Sequence, residues 1–359
     1  MKTFSNFKFH MYTDVLFGKG TEMEVANMIK KHGGTKVMFV YGGGSIKRSG
    51  LYDKVVKCLN DAKIDFVELG IALGLANDGN YWQFYNGVMA EKMIPVGTIH
   101  TISAAGSETS GSSVLVDDME TKKKFGFMNP ACRPVFAIMN PELTYSVSKY
   151  QTGAGTADIF AHTYMRYLTP DASFLGDQYC VGTLKTVVKY GPIAVNDPEN
   201  YEARAELMLA GSFSHNDLTS IGRAGMPKGG EHGLEQQMSG MYDTAHGAGL
   251  SVMMPAMLNY IIKHGNEAQV ARVAQFATDV FEVDADYADA KGVAQEGVRR
   301  FKAWLASLGM PLTIKELGID PKEIPNILDA TVPTEDSAIN GFMKMDRAAV
   351  KEIYESAAE

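Results

Sequence analysis

Two pairs of residues in this sequence have the types and spacing of a metal site. Asp158 and His162 are four residues apart in GTADIFAHTYMRYL, so on a helix they share one face, one turn apart. His232 is the first residue of the string HGLEQQMSGMYDTAHGAGL, and His246 is the histidine near its end. One carboxylate and three imidazoles suit a divalent transition metal and leave a position for a substrate oxygen.

Each pair alone also has an ordinary structural explanation, because an acid–histidine pair on a helix is usually a simple polar contact. The strings around the pairs carry more information. We find that TADIFAHTYMRY, HNDLTSIGR, HGLEQQMSGMYDTAHGAGL and TISAAGSETSG resemble the iron-containing (group III) alcohol dehydrogenases, in particular the butanol dehydrogenase branch. The resemblance runs from Phe7 to Tyr354, which is nearly the whole chain.

The resemblance implies a role for the four residues. Asp158, His162, His232 and His246 match the metal ligands of the family, whose usual ion is Fe(II), although zinc would suit the same ligands. The metal would act as a Lewis acid on the alcohol or carbonyl oxygen, while the nicotinamide of NAD(P)(H) carries the hydride. The implied activity is the interconversion of small primary alcohols and aldehydes of the butanol and butanal type.

Gln236 is a departure from the family pattern. The family has a histidine four residues after its first histidine ligand, beside the substrate, where it is a candidate for proton relay. Here the motif reads HGLEQ, and a glutamine can hold a hydrogen bond but cannot titrate near neutral pH. We therefore expect slower proton transfer with the metal retained. His246, in contrast, should not be replaceable by another residue.

Upstream, the sequence predicts an α/β nucleotide-binding domain over residues 1–140. Strands are predicted over residues 7–17, 36–41 and 64–69, and helices over 22–32 and 51–62. Strand, glycine loop, helix and strand in this order are typical of the start of a doubly wound sheet. Together with a helical second region, the resemblance implies the dehydroquinate synthase-like fold of iron-containing alcohol dehydrogenases.

The loop Gly42-Gly43-Gly44-Ser45 follows the second predicted strand. Its glycines would allow a phosphate to approach the backbone, with Ser45 and Lys47 as further contacts, although such a loop is as often a plain strand-to-helix turn. No Asp or Glu stands at the end of this strand, where NAD-selective sites often bind the ribose 2′-hydroxyl. NADP(H) should therefore be tolerated as well as NAD(H).

Compared with the family pattern, the sequence reads as if a segment were missing between Gly70 and Ile71. At this point the family has a helix, a strand and a second glycine motif, GGGSxxD, which cradles the dinucleotide pyrophosphate. Roughly 40 residues would be needed, about one βαβ unit. Three explanations remain open: a genuine deletion, a stretch absent from this numbering, and an error in the source gene.

The family pattern resumes with IPVGTIHTISAAGSETSG. Thr101 and the hydroxyl-rich loop 104–110, which includes Ser107, match the region that lies along the cofactor. Lys124 matches a lysine that reaches the cofactor ribose, although the run KKKF is equally compatible with a solvated charged surface.

From residue 141 to residue 359 we predict an all-helical domain that binds metal and substrate. The resemblance places its metal at the mouth of a cleft facing the nucleotide domain, a common place for such sites. Helical patterns cover residues 148–168, 171–191, 199–222, 231–241, 247–264, 266–281, 288–308, 322–329 and 346–358.

The composition of the chain limits which classes of binding partner and which cellular compartment are expected. A net charge of −8, spread along the chain, offers no basic patch for nucleic acid and no polybasic membrane signal. The start of the chain lacks an apolar signal sequence, and the three cysteines, Cys58, Cys132 and Cys180, form no CxxC pair, which favours a reducing cytoplasm. The apolar, strand-like N-terminus predicts a homodimer.

Two alternatives to the dehydrogenase remain. A zinc-dependent cyclising lyase of the dehydroquinate synthase type shares the architecture but lacks the strings around His232 and Asn216. A non-catalytic relative that binds metal but has lost cofactor binding would be consistent with the missing segment and with Gln236.

Overall fold

The computed structural model describes residues 12–42, 44–68, 82–85, 87–89, 93–116, 123–170, 173–223, 230–286 and 289–359. Part of the first predicted strand (residues 7–11), Gly43, and the junction of Gly70 and Ile71 lie outside this range, so the predictions made for them stay predictions.

In the first 140 residues, short strands alternate with helices. A 3-10 turn at Thr21–Glu24 takes the start of the helix predicted over 22–32, and the predicted strands are shorter than expected. The elements are β1 (Asp14–Phe17), α1 (Val25–Lys31), β2 (Lys36–Phe39), α2 (Ser45–Arg48), α3 (Leu51–Asp61), β3 (Asp65–Glu68), α4 (Trp82–Tyr85), β4 (Gly97–Ile99), β5 (Ser112–Val116), β6 (Lys124–Met128) and β7 (Phe136–Met139).

The parallel strands form two separate sheets. One has the order β1-β7-β4, with β7 parallel to both neighbours, and the other is the parallel pair β2–β3. A third pairing joins β5 to β6 in an antiparallel hairpin, which the sequence analysis did not predict. Among the described residues, therefore, the doubly wound sheet expected from the sequence is divided in two.

Strand β7 joins the two halves of the protein because it is buried on both faces. Phe136 and Ile138 pack into a core with α1 and α3, which also contact side chains of β2 and β3. Ala137 and Met139 point the other way and pack with Met208 of the helical region. A run of four buried apolar residues is what a central parallel strand requires.

The remainder is helical, as predicted, with bounds that differ from the predicted ones by a few residues at most ends. A two-residue antiparallel pair, β8 (Ala338–Ile339) with β9 (Met345–Asp346), is a small addition. The helices are α5 (Lys149–Tyr167), α6 (Phe174–Asn196), α7 (Tyr201–His215), α8 (Glu231–Tyr242), α9 (His246–His264), α10 (Glu267–Phe281), α11 (Ala290–Ser307), α12 (Ile324–Thr331) and α13 (Arg347–Ser356).

Helix α5 is the central helix of this region, and 3-10 turns rather than loops extend some of its neighbours, as at Leu218–Ser220 after α7. Phe160 of α5 is fully buried, with its ring centroid 4.8 Å from those of both Phe301 and Trp304 of α11. Over the residues that the structure describes, no helix has the length and apolar character needed to cross a bilayer.

Candidate metal centre

Helix α5 carries the first two candidate ligands. Ser148 caps it by accepting a hydrogen bond from the backbone N–H of Gln151, which satisfies one of the free donors at a helix start. Asp158 and His162 lie side by side as the spacing predicts, with 3.4 Å between Asp158 Oδ1 and His162 Nε2. Both side chains are buried, so their polar atoms need partners inside the protein.

Helices α8 and α9 bring the other two histidines to the same place. Asp158, His162 and His232 offer ligand atoms that all lie within 4.8 Å of one another. His246, the first residue of α9, places Nε2 at 3.9 Å from Asp158 Oδ1, and its ring centroid is 5.4 Å from that of His232. The four residues that the sequence predicts as ligands therefore converge from three helices.

Two buried carboxylates hold the histidines in orientation. Glu235 accepts a hydrogen bond from Nδ1 of His246, and Glu231 accepts one at 3.2 Å from Nδ1 of His232. Each bond leaves Nε2 of the imidazole directed elsewhere. Hydrogen bonds of this kind fix the tautomer and ring orientation of metal-binding histidines and raise their basicity.

The nitrogen and oxygen atoms of this cluster are better suited to binding a cation than to forming hydrogen bonds with one another. Asp158 Oδ1, His162 Nδ1 and His232 Nε2 are buried without a hydrogen-bond partner among the described residues. Orphaned buried polar atoms are costly, and Asp158 Oδ1 together with His232 Nε2 in one cluster calls for a ligand, with His162 Nε2 beside them at 3.4 Å from Asp158 Oδ1. The carboxylate and imidazole set suits Fe(II) or Zn(II), so the residues present fit the metal of the resemblance.

The pKa shifts in the cluster follow from burial and from mutual charge. Burial raises the pKa of Asp158, and the positive charges of His246 and His232 oppose that rise. Burial, together with His215 and His232, holds the pKa of His162 well below its usual value. His162 is therefore neutral, which is the form of imidazole that binds a metal.

His246 differs from His162 because of its carboxylate partner. Burial lowers its pKa, but the charge of Glu235 and the hydrogen bond to it outweigh burial, so the net shift is upward. The stronger base is also the stronger electron donor toward a metal.

Gly247 allows α9 to approach α5 closely. A β-carbon at this position would lie 1.8 Å from the carbonyl oxygen of Ala154, far inside van der Waals contact. The residue next to the ligand His246 must therefore be glycine, and the backbones of the two ligand-bearing helices touch there.

Gln236 links the metal centre to β6. Its Nε2 donates a hydrogen bond of 2.5 Å to the carbonyl oxygen of Lys124, and Lys124 Nζ donates one of 3.1 Å to Ser239. Lys124, predicted to reach the cofactor ribose, thus lies against α8, close enough for its charge to oppose the upward shift of the Asp158 pKa.

The other predicted cofactor residues have mixed positions. Thr101 and Ser107 are exposed at the two ends of the loop that follows β4, as are Gly42, Gly44 and Ser45 after β2. Lys47, a proposed phosphate contact, instead places Nζ over the rings of Tyr41 and Tyr52, at 5.6 Å and 5.0 Å from their centroids.

Sequence reasoning missed three residues of the site. Glu231 and Glu235 flank His232 in EHGLE, and an acid within one turn of a ligand histidine is a signal that could have been used. His215 is buried with its ring centroid 4.2 Å from that of His162, its Nδ1 donates to Ala105 O at 2.7 Å, and burial lowers its pKa to about 3. No sequence signal predicts that contact.

Two family models match the chain. The model described as Fe-containing alcohol dehydrogenase family, C-terminal, matches residues 152–358, which include all four candidate ligands. The model described as iron-containing alcohol dehydrogenase matches residues 69–141, beginning next to the junction of Gly70 and Ile71.

Individual proteins match over nearly the full length. The NADH-dependent butanol dehydrogenase A of Clostridium acetobutylicum is 31% identical over 391 residues, covering 97% of this chain and 98% of that protein. The NADPH-dependent aldehyde reductase YqhD of Escherichia coli is 28% identical over 369 residues, covering 90% and 92%. Because the first alignment is longer than the 359 residues of this chain, the Clostridium protein contains residues that have no counterpart here.

Solved structures show the same architecture. The crystal structure of NADH-dependent butanol dehydrogenase A from Thermotoga maritima superposes with a TM-score of 0.92 at 29% identity, covering 100% of both chains. That of YqhD from E. coli superposes with a TM-score of 0.88 at 24% identity, covering 99% of this chain and 100% of the other.

Proposed function

The chain belongs to the iron-containing alcohol dehydrogenase family, and on that premise we propose that it is an NAD(P)(H)-dependent enzyme that interconverts small primary alcohols and aldehydes at a metal held by Asp158, His162, His232 and His246. Its relatives named as butanol dehydrogenases and as an aldehyde reductase support butanal as a first substrate to test.

One observation carries the proposal. The four residues converge from three helices, and within this buried cluster Asp158 Oδ1, His162 Nδ1 and His232 Nε2 have no hydrogen-bond partner among the described residues. A purely structural polar cluster would satisfy these atoms with one another. A cation held by this cluster would satisfy Asp158 Oδ1 and His232 Nε2 and would also take one nitrogen of His162, and Fe(II) is our first choice, with Zn(II) as the alternative.

The chemistry divides between the bound groups and the protein. When bound, the metal polarises the substrate oxygen as a Lewis acid, and the nicotinamide exchanges a hydride with the substrate carbon. Glu235 and Glu231 keep the imidazoles of His246 and His232 in one tautomer and one orientation. Asp158 supplies the negative charge that offsets a divalent cation in a buried setting.

Proton delivery is where this chain differs from its family. Reduction of an aldehyde requires a proton on the product oxygen, and Gln236 cannot supply it by titration. The side-chain amide of Gln236 already donates a hydrogen bond to Lys124 O of β6. We therefore assign Gln236, on α8, the role of holding β6 in position. The proton then comes from solvent, and the step is slower than with a histidine relay.

For the dinucleotide, the exposed loops after β2 and β4 support contacts from Gly42, Gly43, Gly44 and Ser45 on one side and from Thr101 and Ser107 on the other. Lys124, which contacts Ser239 and whose charge acts on Asp158, adds a positive charge beside the metal centre. The absence of an acid in Tyr41–Ser45 leads us to propose that NADPH is accepted as well as NADH.

The test is an anaerobic assay of the full chain reconstituted with Fe(II), following the oxidation of NADPH and then of NADH with butanal. We expect turnover that a chelator abolishes and that added Fe(II) restores. The same protein is titrated with each dinucleotide by calorimetry, so that binding and turnover are measured separately.

A second candidate is a metal-binding relative without cofactor binding, and the division of the parallel strands into two sheets favours it. Stoichiometric metal together with neither dinucleotide binding in the titration would establish this candidate and exclude the dehydrogenase.

We also propose a cytoplasmic homodimer. In support, the structure contains free cysteines at Cys58, Cys132 and Cys180, as expected in a reducing compartment. The edge strand β1 leaves Val15 exposed, which could pair with a second copy. Light scattering after gel filtration tests the dimer: a mass equal to that of one chain would exclude it.

A further inference from the structure

Arg204, in the first turn of α7, is a buried cation without a buried anion. Its side chain is 4% exposed. Nε donates to Pro198 O at 2.8 Å, Nη1 donates to Thr152 Oγ1 at 3.0 Å, and Nη2 is buried without a hydrogen-bond partner. Among the described residues, no carboxylate lies within ion-pair distance of it.

Two other buried arginines of this region have a carboxylate partner, which Arg204 lacks among the described residues. Arg223 and Arg272 each place Nη2 on Asp177 Oδ1, at 2.5 Å and 2.6 Å. A buried charge is tolerated when it is paired and hydrogen-bonded, and one left uncompensated is strongly destabilising. Arg204 therefore needs a negative partner that the described side chains do not provide.

A small cavity lies beside Arg204, between α5, α7 and the residues that follow β4. Its polar lining consists of Arg204, Ser103, Thr152 and Thr156, and apolar side chains complete it. Ser103 Oγ is also buried without a partner. The cavity is too small for an organic ligand and has room for one water molecule or one monatomic ion.

The cavity offers mainly hydrogen-bond donors. Thr152 Oγ1 accepts from Arg204, so its own proton is free to point into the cavity. Thr156 Oγ1 donates instead to the carbonyl oxygen of Thr152. Arg204 Nη2 and the hydroxyls of Ser103 and Thr152 remain, and a guanidinium with two hydroxyl donors around a small space is suitable chemistry for an anion.

We propose that this cavity binds one small monovalent anion, of the size of chloride, between Arg204, Ser103 and Thr152. This site is separate from the metal centre and from the predicted cofactor contacts. The anion neutralises Arg204 and joins three parts of the chain.

The position of the anion gives it a structural role. A β-carbon on Gly155 would lie 2.2 Å from the carbonyl oxygen of Ser103, so this loop already touches the backbone of α5 one turn before Asp158. An anion that ties Ser103 to Thr152 and Arg204 holds the loop bearing Thr101 and Ser107 against the helix that bears two metal ligands.

The direct test is diffraction from crystals of the full chain soaked in sodium bromide, with data collected at the bromine edge. We expect an anomalous peak in the cavity, within hydrogen-bond distance of Arg204 Nη2. A water there, with no anomalous peak after the soak, would overturn the proposal.

The solution test compares thermal unfolding in sodium chloride with unfolding in sodium gluconate at equal ionic strength, since gluconate is too large for the cavity. We expect chloride to raise the Tm of the wild-type chain by about 2 °C. Ser103→Ala and Arg204→Met should lose this shift, whereas the matched control Arg272→Met, which removes an arginine already paired with Asp177, should keep it.

An equal chloride shift in the wild type and in Ser103→Ala would contradict the proposal, because the effect would then arise elsewhere. If Arg204→Met does not fold, Ser103→Ala and the bromide map decide the question, since neither depends on removing the buried charge.

Discussion

The metal-binding helices and the N-terminal strands contrast in how fully they are enclosed. Helix α5 is buried from Thr152 to Tyr167, and the candidate ligands that it carries lie next to those of α8 and α9. Of the strands that the structure describes, β7 is buried along its whole length, whereas β2 and β4 are partly exposed. Among the described residues, the helices that carry the candidate metal ligands are enclosed, and the strands proposed to bind the dinucleotide are partly exposed.

The physical basis of the contrast is the need of parallel strands for neighbours. Parallel sheets are stable when both faces are covered and their central strands are paired on both edges. In the described residues β4 pairs only with β7, and β2 only with β3. Metal binding and dinucleotide binding should therefore respond independently to mutation.

The largest expected effect is that of His246→Ala. Loss of a ligand should abolish turnover and lower metal affinity by more than the roughly 10–100-fold typical of an outer partner. Dinucleotide affinity should not change, because the strands are untouched. Mass spectrometry measures the metal content, and calorimetry measures the dinucleotide affinity.

The matched control for that change is His264→Ala at the other end of α9, where the imidazole contacts Glu352 on the surface. It should leave both affinities as in the wild type. A parallel loss of dinucleotide affinity in His246→Ala would show that the two regions are coupled.

A pair of phenylalanine truncations compares the two cores. Phe160→Ala removes a fully buried ring from the helical core and should lower the free energy of unfolding by about 3–5 kcal/mol. Phe66→Ala in β3 removes a partly buried ring and should cost less than about half of that, because less apolar area returns to water. Urea unfolding followed by circular dichroism measures both, and equal losses would refute the contrast.

Glu235→Gln tests the outer contacts of the metal centre. The amide keeps the shape of the side chain but removes the charge that acts on His246, so Co(II) and Fe(II) affinity should fall by about 10–100-fold. The absorption spectrum of the Co(II)-loaded protein should shift as well, which a purely structural role of Glu235 would not produce.

Glu22→Gln is the matched control, because Glu22 is equally buried but contacts Lys54 and Asn140 in the strand region. It should lower stability and leave metal affinity unchanged. An unchanged metal affinity in Glu235→Gln would remove Glu235 from the account of the site.

The smallest effect is expected from Gln236→His. A titratable side chain beside the substrate should raise the rate of aldehyde reduction by about tenfold or more. It should also add a pH dependence: as an acid the imidazolium donates a proton, so the gain is present below its pKa and is lost as pH rises through it. Rates over pH 5–9, compared with those of Gln237→His one residue along the helix, measure the effect; an unaltered profile would refute the proton account.

How well the sequence predicts a contact depends on how far apart in the chain the two residues are. The contact of Asp158 with His162 follows from spacing within one helix, and the other two ligands were identified by a resemblance over a long motif. The pairing of Glu235 with His246 depends on how α8 crosses α9, and the contact of His215 with His162 on how α7 packs, so neither is encoded locally. Strand pairing is non-local as well, and the division into two sheets could not be read from the strand patterns.

Gly247 has a consequence for how this protein can vary. It binds nothing and carries no charge, yet any side chain there would drive α9 away from the Ala154 carbonyl and move His246 with it. In a saturation mutagenesis screen under selection for activity, this chemically inert residue should be as intolerant of replacement as the ligand beside it.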